Sequence, residues 1–193
     1  MRLDLITLYM KVIQRFTSSL EKTMYDNPSF FEMYALPYEG VVKREIELGD
    51  ITSEDTVLNL GCGALPFTAV HIVQLTGARV HAVDKDTNAL KRAKKIVDYL
   101  GLSEDISFFE DDCLRELPTI FDKALVALQV EPKNRVLENL ISEEEGSVIV
   151  RAPRDGFEET YGEMPDFEPT DEVEHNMLTF DRSLLFDLDC GES

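Results

Sequence analysis

The N-terminal region carries apolar positions at helical spacing on both sides of a polar break. Apolar side chains recur every three or four positions over residues 3–23, which predicts an amphipathic helix. Such a helix packs either on the rest of the fold or on a second copy of the chain, so a homodimer is one of the two arrangements that the sequence allows. The break falls at residues 26–29, and Pro37 predicts the start of a second helix that ends near Gly49.

From residue 56 onward, short apolar runs alternate with amphipathic stretches. The runs are nearly uninterrupted, as expected of parallel strands that are covered on both faces. Their alternation with helical patterns predicts an α/β core with a mainly parallel sheet. The predicted strands cover residues 56–60, 79–83, 106–109, 121–128 and 147–151. The helix predicted after the first strand ends near Gly77. Two further helices are predicted over residues 87–100 and 133–141.

The last part of the chain has a different character. Residues 155–193 hold thirteen acidic residues and one basic residue, Arg182. Loosely alternating apolar positions at 173–180 and 184–188 predict an antiparallel hairpin at the end of the fold. The acidity favours a neutral or cationic ligand such as an amine, and a solvated acidic tail explains it equally well.

One stretch, Thr56–Pro66, predicts a buried strand that runs into a glycine turn and then a helix. Gly61 and Gly63 allow a sharp bend and leave room for a ligand against bare main chain. Pro66 suits the first turn of a helix, where its missing N–H has no partner to lose. Open α/β sheets bind nucleotides at such turns. Proline at the sixth place of G-x-G-x-x-G disfavours a dinucleotide, and the chain has no P-loop sequence.

A carboxylate ends the second predicted strand. Asp84 follows the apolar run that begins at Ala78, and a carboxylate at this point can accept both hydroxyls of a ribose. The turn and the acid together predict a ribose-containing ligand at this edge of the sheet.

Four segments in this order resemble the motif series of the class I S-adenosylmethionine (SAM)-dependent methyltransferases. They are Val57–Gly63, Val83–Asp84, Asp111–Cys113 and Phe121–Asp122. The resemblance implies a mostly parallel, seven-stranded Rossmann-like sheet with N-terminal helices and a C-terminal antiparallel hairpin. It also implies SAM as the cofactor.

The resemblance further implies which residues bind that cofactor. Asp112 lies where the family's carboxylate accepts from the adenine amino group, and the amide of Cys113 would meet a ring nitrogen. The expected cofactor-binding residues are Gly61, Cys62, Gly63, Leu65, Asp84, Lys85, Asp112, Cys113, Leu128 and Gln129.

The turn Gly63–Thr68 looks like the G-x-L-P-x-T turn of the nicotianamine synthases. Those enzymes share the fold and the cofactor but transfer the aminocarboxypropyl arm of SAM instead of its methyl. Three hypotheses follow: a methyltransferase for a small-molecule acceptor, an aminocarboxypropyl transferase, and a SAM-binding protein without catalysis.

Catalytic residues are not evident from the pattern. Tyr34 and Tyr38 lie one helical turn apart, and Glu39 follows them, in a segment that resembles the aromatic segment of nicotianamine synthases. These three are the candidates. In the methyltransferases such N-terminal segments form a lid, so we expect a helical lid at 1–50 and a SAM-binding domain at 51–193.

The net charge narrows the class of partner. The 193 residues carry 38 acidic and 19 basic side chains, for a formal net charge of -19. Phosphate contacts need Lys and Arg, so we expect neither nucleic acid nor an anionic membrane surface as a partner. A small-molecule acceptor fits better. The histidines lack the spacing of metal ligands, and we expect no metal site.

The cysteines and the first residues bear on the compartment. Cys62, Cys113 and Cys190 are odd in number and widely separated, which favours a reducing interior. Asp4 and Lys11 interrupt the first apolar stretch, so we expect no secretory leader. These features predict a cytoplasmic protein.

Overall fold

The computed structural model of the chain describes residues 29–114, 120–141, 146–161, 164 and 168–187. The helix predicted over residues 3–23 lies outside them. The chain divides into two compact units, residues 1–36 and residues 37–193. The sheet and the sites described below belong to the second unit.

Helices and strands alternate through most of the described residues. The helices are α1 (Ser29–Leu48), α2 (Phe67–Thr76), α3 (Thr87–Leu100), α4 (Lys133–Ile141) and α5 (Glu158–Tyr161). The strands are β1 (Thr56–Leu60), β2 (Arg79–Asp84), β3 (Ile106–Glu110), β4 (Lys123–Val126), β5 (Ser147–Pro153), β6 (Asp171–Glu174) and β7 (Phe180–Asp187).

All seven strands form one sheet in the order β3-β2-β1-β4-β5-β7-β6. The first five run parallel, and β7 runs antiparallel to both β5 and β6. The predicted mostly parallel, seven-stranded sheet with a C-terminal antiparallel hairpin is therefore confirmed. Strand order reverses between β1 and β4, and the carboxyl ends of the parallel strands meet at one edge there.

Two prolines do not begin helices as predicted. Helix α1 starts at Ser29, so Pro37 lies inside it. An interior proline removes one helical hydrogen bond, and this helix continues past it. Pro66 precedes α2 instead of opening it, because its ψ of 54° lies outside the helical region while proline constrains only φ.

Strand β4 is shorter than predicted, covering Lys123–Val126 and not residues 121–128. The residues on either side still contact β1 through hydrogen bonds at its two ends, and the Asp122 amide donates to Thr56 O at 2.9 Å. The Thr56 amide donates to Asp122 Oδ2 at 2.7 Å, and the Ala127 amide donates to Leu60 O at 3.0 Å.

The closing hairpin turns at a different place from the predicted one. The polar residues 181–183, expected to form the turn, belong to β7. The turn lies at residues 175–179, where the His175 amide donates to Asp181 O. Residues 181–183 stay in the strand because Ser183 is fully buried while Arg182 points to solvent near Glu172.

The two faces of the sheet are filled differently. Val148 and Val150 of β5 belong to an apolar cluster that includes Val136 and Leu140 of α4. Side chains alternate along a strand, so Arg151 of β5 faces the opposite side, which α1 and α2 cover. This side carries the polar contacts described below.

Candidate functional site

The glycine turn after β1 is bent against the end of β2. The amides of Gly61 and Cys62 both donate to Val83 O, at 2.8 and 3.1 Å. Gly61 has a φ of 74°, and a Cβ there would lie 2.6 Å from Val130 Cγ2. A side chain at Gly61 is thus excluded by both conformation and space.

Gly63 is the second left-handed residue of the turn, and it faces open space. Its φ is 64°, and a Cβ there would meet no heavy atom within 4 Å. Its amide donates to Oδ2 of Asp84 at 2.8 Å, and Oδ1 of Asp84 accepts from the Asp86 amide at 2.9 Å. The two predicted motifs, glycine turn and acidic strand end, are therefore bonded directly to each other.

A cleft of about 370 Å³ opens at the carboxyl ends of the central strands. Several residues predicted to bind a cofactor line it together: Gly61, Gly63, Asp84, Lys85, Asp112, Cys113 and Gln129. The prediction missed other lining residues: Leu60, Val83, Asp111, Leu114, Val130 and Glu131. Asp111 and Leu114 could have been predicted from the sequence, because they flank the predicted residues Asp112 and Cys113.

Three predicted residues are not among the residues that line the cleft. Cys62 is buried, and burial raises the pKa of its thiol to about 12, so the side chain stays neutral. Leu65 accepts from the Phe67 amide at 2.8 Å through its carbonyl. Leu128 is buried, and its carbonyl accepts from a lysine.

The acidic run after β3 forms its own turn. Asp111 Oδ1 accepts from the Cys113 amide at 2.6 Å, and Asp112 Oδ1 accepts from the Leu114 amide at 3.1 Å. The Cys113 amide, expected to meet an adenine nitrogen, thus donates to a side chain of the protein in this structure. Cys113 has a φ of 55°, which this pair of short-range bonds supports.

A buried lysine fixes the loop after β4, which forms one wall of the cleft. Lys133 is 3% exposed, and its Nζ donates to the carbonyls of Leu128, Val130 and Tyr161. Burial lowers the pKa of Lys133 to about 8. Sequence reasoning missed this residue, since a lysine at a helix start resembles an ordinary surface residue.

The three catalytic candidates differ in their surroundings. The Tyr38 ring stacks on Phe67 with centroids 5.2 Å apart, beside the start of α2. Glu39 Oε1 accepts from Lys43 Nζ at 2.6 Å, and that hydrogen bond and charge lower the pKa of Glu39. Tyr34 is helical, and its side chain lies outside the described residues.

The opposite face of the sheet holds a buried ion pair. Glu45 of α1 is fully buried, and its Oε1 and Oε2 accept from Arg151 Nε and Nη2 at 2.8 and 2.7 Å. Arg151 Nη2 also donates to Thr68 Oγ1 at 3.0 Å. The Arg151 side chain is only 6% exposed, so the ion pair lies inside the protein.

Further hydrogen bonds extend this pair to a histidine. Ser183 Oγ donates to Glu45 Oε1 at 2.7 Å and lies 2.9 Å from His175 Nε2. Arg44 Nε donates to His175 Nδ1 at 3.3 Å. A nitrogen that accepts carries no proton, so we assign the neutral tautomer with the proton on Nε2, donating to Ser183.

Burial lowers the pKa of His175 and outweighs Glu45, which acts in the opposite direction; Arg44 and Arg151 lower the pKa further. Histidine in the unfolded chain has a pKa of about 6.5, so as the pH falls it is protonated before His175 of the folded protein. The contribution of His175 to the free energy of unfolding should therefore be fully present above about pH 6.5. It should be lost as the pH falls through the folded-state pKa. Urea unfolding at pH values between about 5 and 7.5 measures this slope.

A histidine elsewhere in the sheet provides the control for this prediction. Burial also lowers the pKa of His81, which lies on β2 and not in the buried cluster. His175→Gln should reduce the change in the free energy of unfolding with pH. The double variant, which carries both His175→Gln and His81→Gln, should reduce it further. An unaltered slope in His175→Gln would contradict the neutral buried histidine.

The described part of the chain holds neither a cluster of metal ligands nor a membrane-spanning helix. Within those residues, no group of three or more His, Cys, Asp or Glu side chains could hold a metal ion. No described helix has both the length and the apolar character that crossing a bilayer requires.

Sequence comparison finds one relative of note. No protein-family model matches the chain. The chain is 33% identical over 109 residues to L-histidine 2-aminobutanoyltransferase of Yersinia pestis. The match covers 56% of this chain and 40% of that protein, so the chain spans less than half the length of the relative.

Structure comparison identifies the class of fold. The nicotianamine synthase MtNAS, solved in complex with MTA and tNA, has a TM-score of 0.77 and 21% identity, covering 93% of this chain and 72% of its own. An RNA methyltransferase from Salinibacter ruber, solved with S-adenosyl-L-homocysteine, has a TM-score of 0.65 and 17% identity, covering 80% and 94%. The chain therefore has the fold of the class I SAM-dependent methyltransferases, as predicted.

Proposed function

We propose that the chain binds SAM in the cleft and is a transferase that moves the aminocarboxypropyl arm of SAM, a 2-aminobutanoate unit joined through its terminal carbon, to a small amine. The observation that carries the choice of group is the 33% identity to L-histidine 2-aminobutanoyltransferase. The turn Gly63–Thr68, which resembles that of nicotianamine synthases, points the same way.

The residues of the cleft fit this cofactor. Gly63 presents bare main chain to open space, where a ligand can approach the backbone. Four carboxylates and one lysine line the cleft, namely Asp84, Asp111, Asp112, Glu131 and Lys85. The excess of negative charge in the cleft disfavours phosphate-bearing nucleotides and favours a sulfonium cation.

The chemistry requires positioning and one proton acceptor. When bound, SAM supplies a methylene carbon next to its sulfonium, and attack by an amine there releases methylthioadenosine and a proton. The protein must hold the amine in line with that carbon, and a carboxylate can accept the proton. Glu39 is our candidate base and Tyr38 our candidate positioning group, because their segment resembles the aromatic segment of nicotianamine synthases and Tyr38 stacks on Phe67 beside the glycine turn.

Methyl transfer to a small molecule is the second candidate, because the fold is shared with methyltransferases. The acceptor we propose is not a nucleic acid, since a net charge of -19 opposes phosphate binding. We also propose a SAM-binding domain at 51–193 with a helical lid at 1–50, and a reducing, cytoplasmic location.

Product analysis distinguishes the two reactions. The purified chain is incubated with SAM and single amino acids, L-histidine among them, and the products are separated by mass spectrometry. Methylthioadenosine with an acceptor heavier by the aminocarboxypropyl group supports the proposal. S-adenosylhomocysteine with a methylated acceptor supports the second candidate. SAM binding without either product leaves a binding protein and rejects both reactions.

A pair of glycine substitutions tests where the cofactor lies. Gly63 and Gly101 both have left-handed φ values, 64° and 72°, and both face open space. Alanine at either position should cost about 1 kcal/mol of stability from backbone strain. Only Gly63→Ala should weaken SAM binding, because its methyl group enters the cleft. Calorimetric titration of both variants with SAM checks this, and equal affinities would place the cofactor elsewhere.

A further inference from the structure

Thr68 links the glycine turn to the buried ion pair on the far face of the sheet. It is the second residue of α2 and is 7% exposed. Its Oγ1 accepts from Arg151 Nη2 at 3.0 Å, and the same nitrogen donates to Glu45 Oε2. A buried hydroxyl is therefore fixed by a charged donor that is itself fixed by a carboxylate.

The start of α2 lacks the usual stabilising contact. The residue before the helix is Pro66, whose side chain makes no capping hydrogen bond. A helix without a capping side chain lacks one of the contacts that stabilise its first turn. The Thr68–Arg151 bond lies within the first turn and holds this end of α2 in place.

The glycine turn depends on the position of that helix end. The Phe67 amide donates to Leu65 O at 2.8 Å, and the Val70 amide donates to Pro66 O at 3.0 Å. These short-range bonds join the turn to α2 with little slack. Only three residues separate Gly63 from α2, so we expect a shift at the start of α2 to move the Gly63 amide relative to Asp84.

We propose that Thr68 and Arg151 are positioning residues that hold the glycine turn in the conformation that receives the cofactor. The proposal rests on the proposed function, because it takes the cleft as the SAM site. The two residues act through the start of α2 and need not touch the ligand.

The test compares three variants on one helix. Thr68→Val removes the hydroxyl and keeps the shape, and Thr68→Ser restores the hydroxyl. Thr76→Val is the matched control, because Thr76 Oγ1 donates to Ile72 O and accepts from the Ala78 amide at the far end of α2. It removes comparable hydrogen bonds away from the turn.

Hydrogen exchange on the free protein gives the first readout. Thr68→Val should speed exchange of the amides at Gly63 and Val70, whereas Thr76→Val and Thr68→Ser should leave them as in wild type. Unaltered exchange in Thr68→Val, or equal acceleration in Thr76→Val, would overturn the proposal. This readout needs no cofactor, so it stands even if the chain fails to bind SAM and the proposed function falls.

Calorimetric titration with SAM gives the second readout. Thr68→Val should weaken binding about fivefold, the equivalent of one ordinary hydrogen bond. Thr68→Ser should restore it, and Thr76→Val should lower the melting temperature without changing the dissociation constant. Wild-type affinity in Thr68→Val would overturn the positioning role while leaving the cofactor assignment intact.

Discussion

Glu45→Gln is expected to lower the free energy of unfolding by about 3–5 kcal/mol, because it leaves a buried guanidinium without its counter-charge. Glu45 is 0% exposed, and its two oxygens accept from Arg151 at 2.8 and 2.7 Å. Water cannot reach the guanidinium to replace the lost carboxylate. Urea unfolding followed by circular dichroism measures the change.

Two further variants separate this effect from a general weakening of α1. Glu39 has an exposed ion pair with Lys43 on the same helix, so Glu39→Gln should change stability only slightly. Glu45→Met combined with Arg151→Met should recover most of the loss, since two apolar side chains leave no charge unpaired. A Glu45→Gln protein within about 1 kcal/mol of wild type would contradict the paired arrangement.

Asp84→Ala is expected to weaken SAM binding by about 2–3 kcal/mol, or roughly 30- to 150-fold. The substitution removes a carboxylate that can accept ribose hydroxyls. It also removes the acceptor of the Gly63 and Asp86 amides, at 2.8 and 2.9 Å. Calorimetric titration with SAM measures the loss.

Asp122 offers a matched control at the amino ends of the parallel strands, opposite the end that forms the cleft. Its Oδ2 accepts from the Thr56 amide at 2.7 Å, at the start of β1 and not at its end. Asp122→Ala also removes a carboxylate that holds a backbone amide, yet it should leave the SAM affinity unchanged. Equal weakening in both variants would mean that Asp84 acts through stability alone, and an unchanged affinity in Asp84→Ala would refute its role.

The central strands and the turn could be predicted from the sequence because their signals are local. Strand β1, predicted at 56–60, is observed at Thr56–Leu60, since a strand buried on both faces is a continuous apolar run. The glycines of the turn need their left-handed φ values, and the residue type reports that need directly. The cleft follows from the strand order, and the mostly parallel, seven-stranded sheet was expected from the resemblance to the class I SAM-dependent methyltransferases.

The buried polar cluster could not be predicted, because its members are distant in sequence and each looks ordinary in its own segment. Glu45 and Arg151 are separated by 106 residues, and Glu45 and Ser183 by 138. A lone glutamate on a helix usually faces solvent. Only the packing of α1 against β5 and β7 brings these groups together.

The misplaced hairpin turn has the same physical origin. Polar residues at 181–183 read as a turn when each is taken as exposed. In the fold, Ser183 is buried and bonded to Glu45 Oε1, while Arg182 stays at the surface. Tertiary contacts made a strand of a segment whose composition favours a turn.

The order of strands imposes an order of assembly during synthesis. Strand β7 lies between β5 and β6 in the sheet, although both precede it in the chain. Among the described strands, β6 pairs with β7 and has no place in the sheet before β7 is made. A nascent chain that ends after β6 therefore keeps the edge of β5 open, and Glu45 still lacks the hydroxyl of Ser183. Pairing of β7 with β5 and β6 therefore completes the sheet and adds the Ser183 hydroxyl to the Glu45–Arg151 pair, so the domain should become resistant to proteases only once β7 has paired.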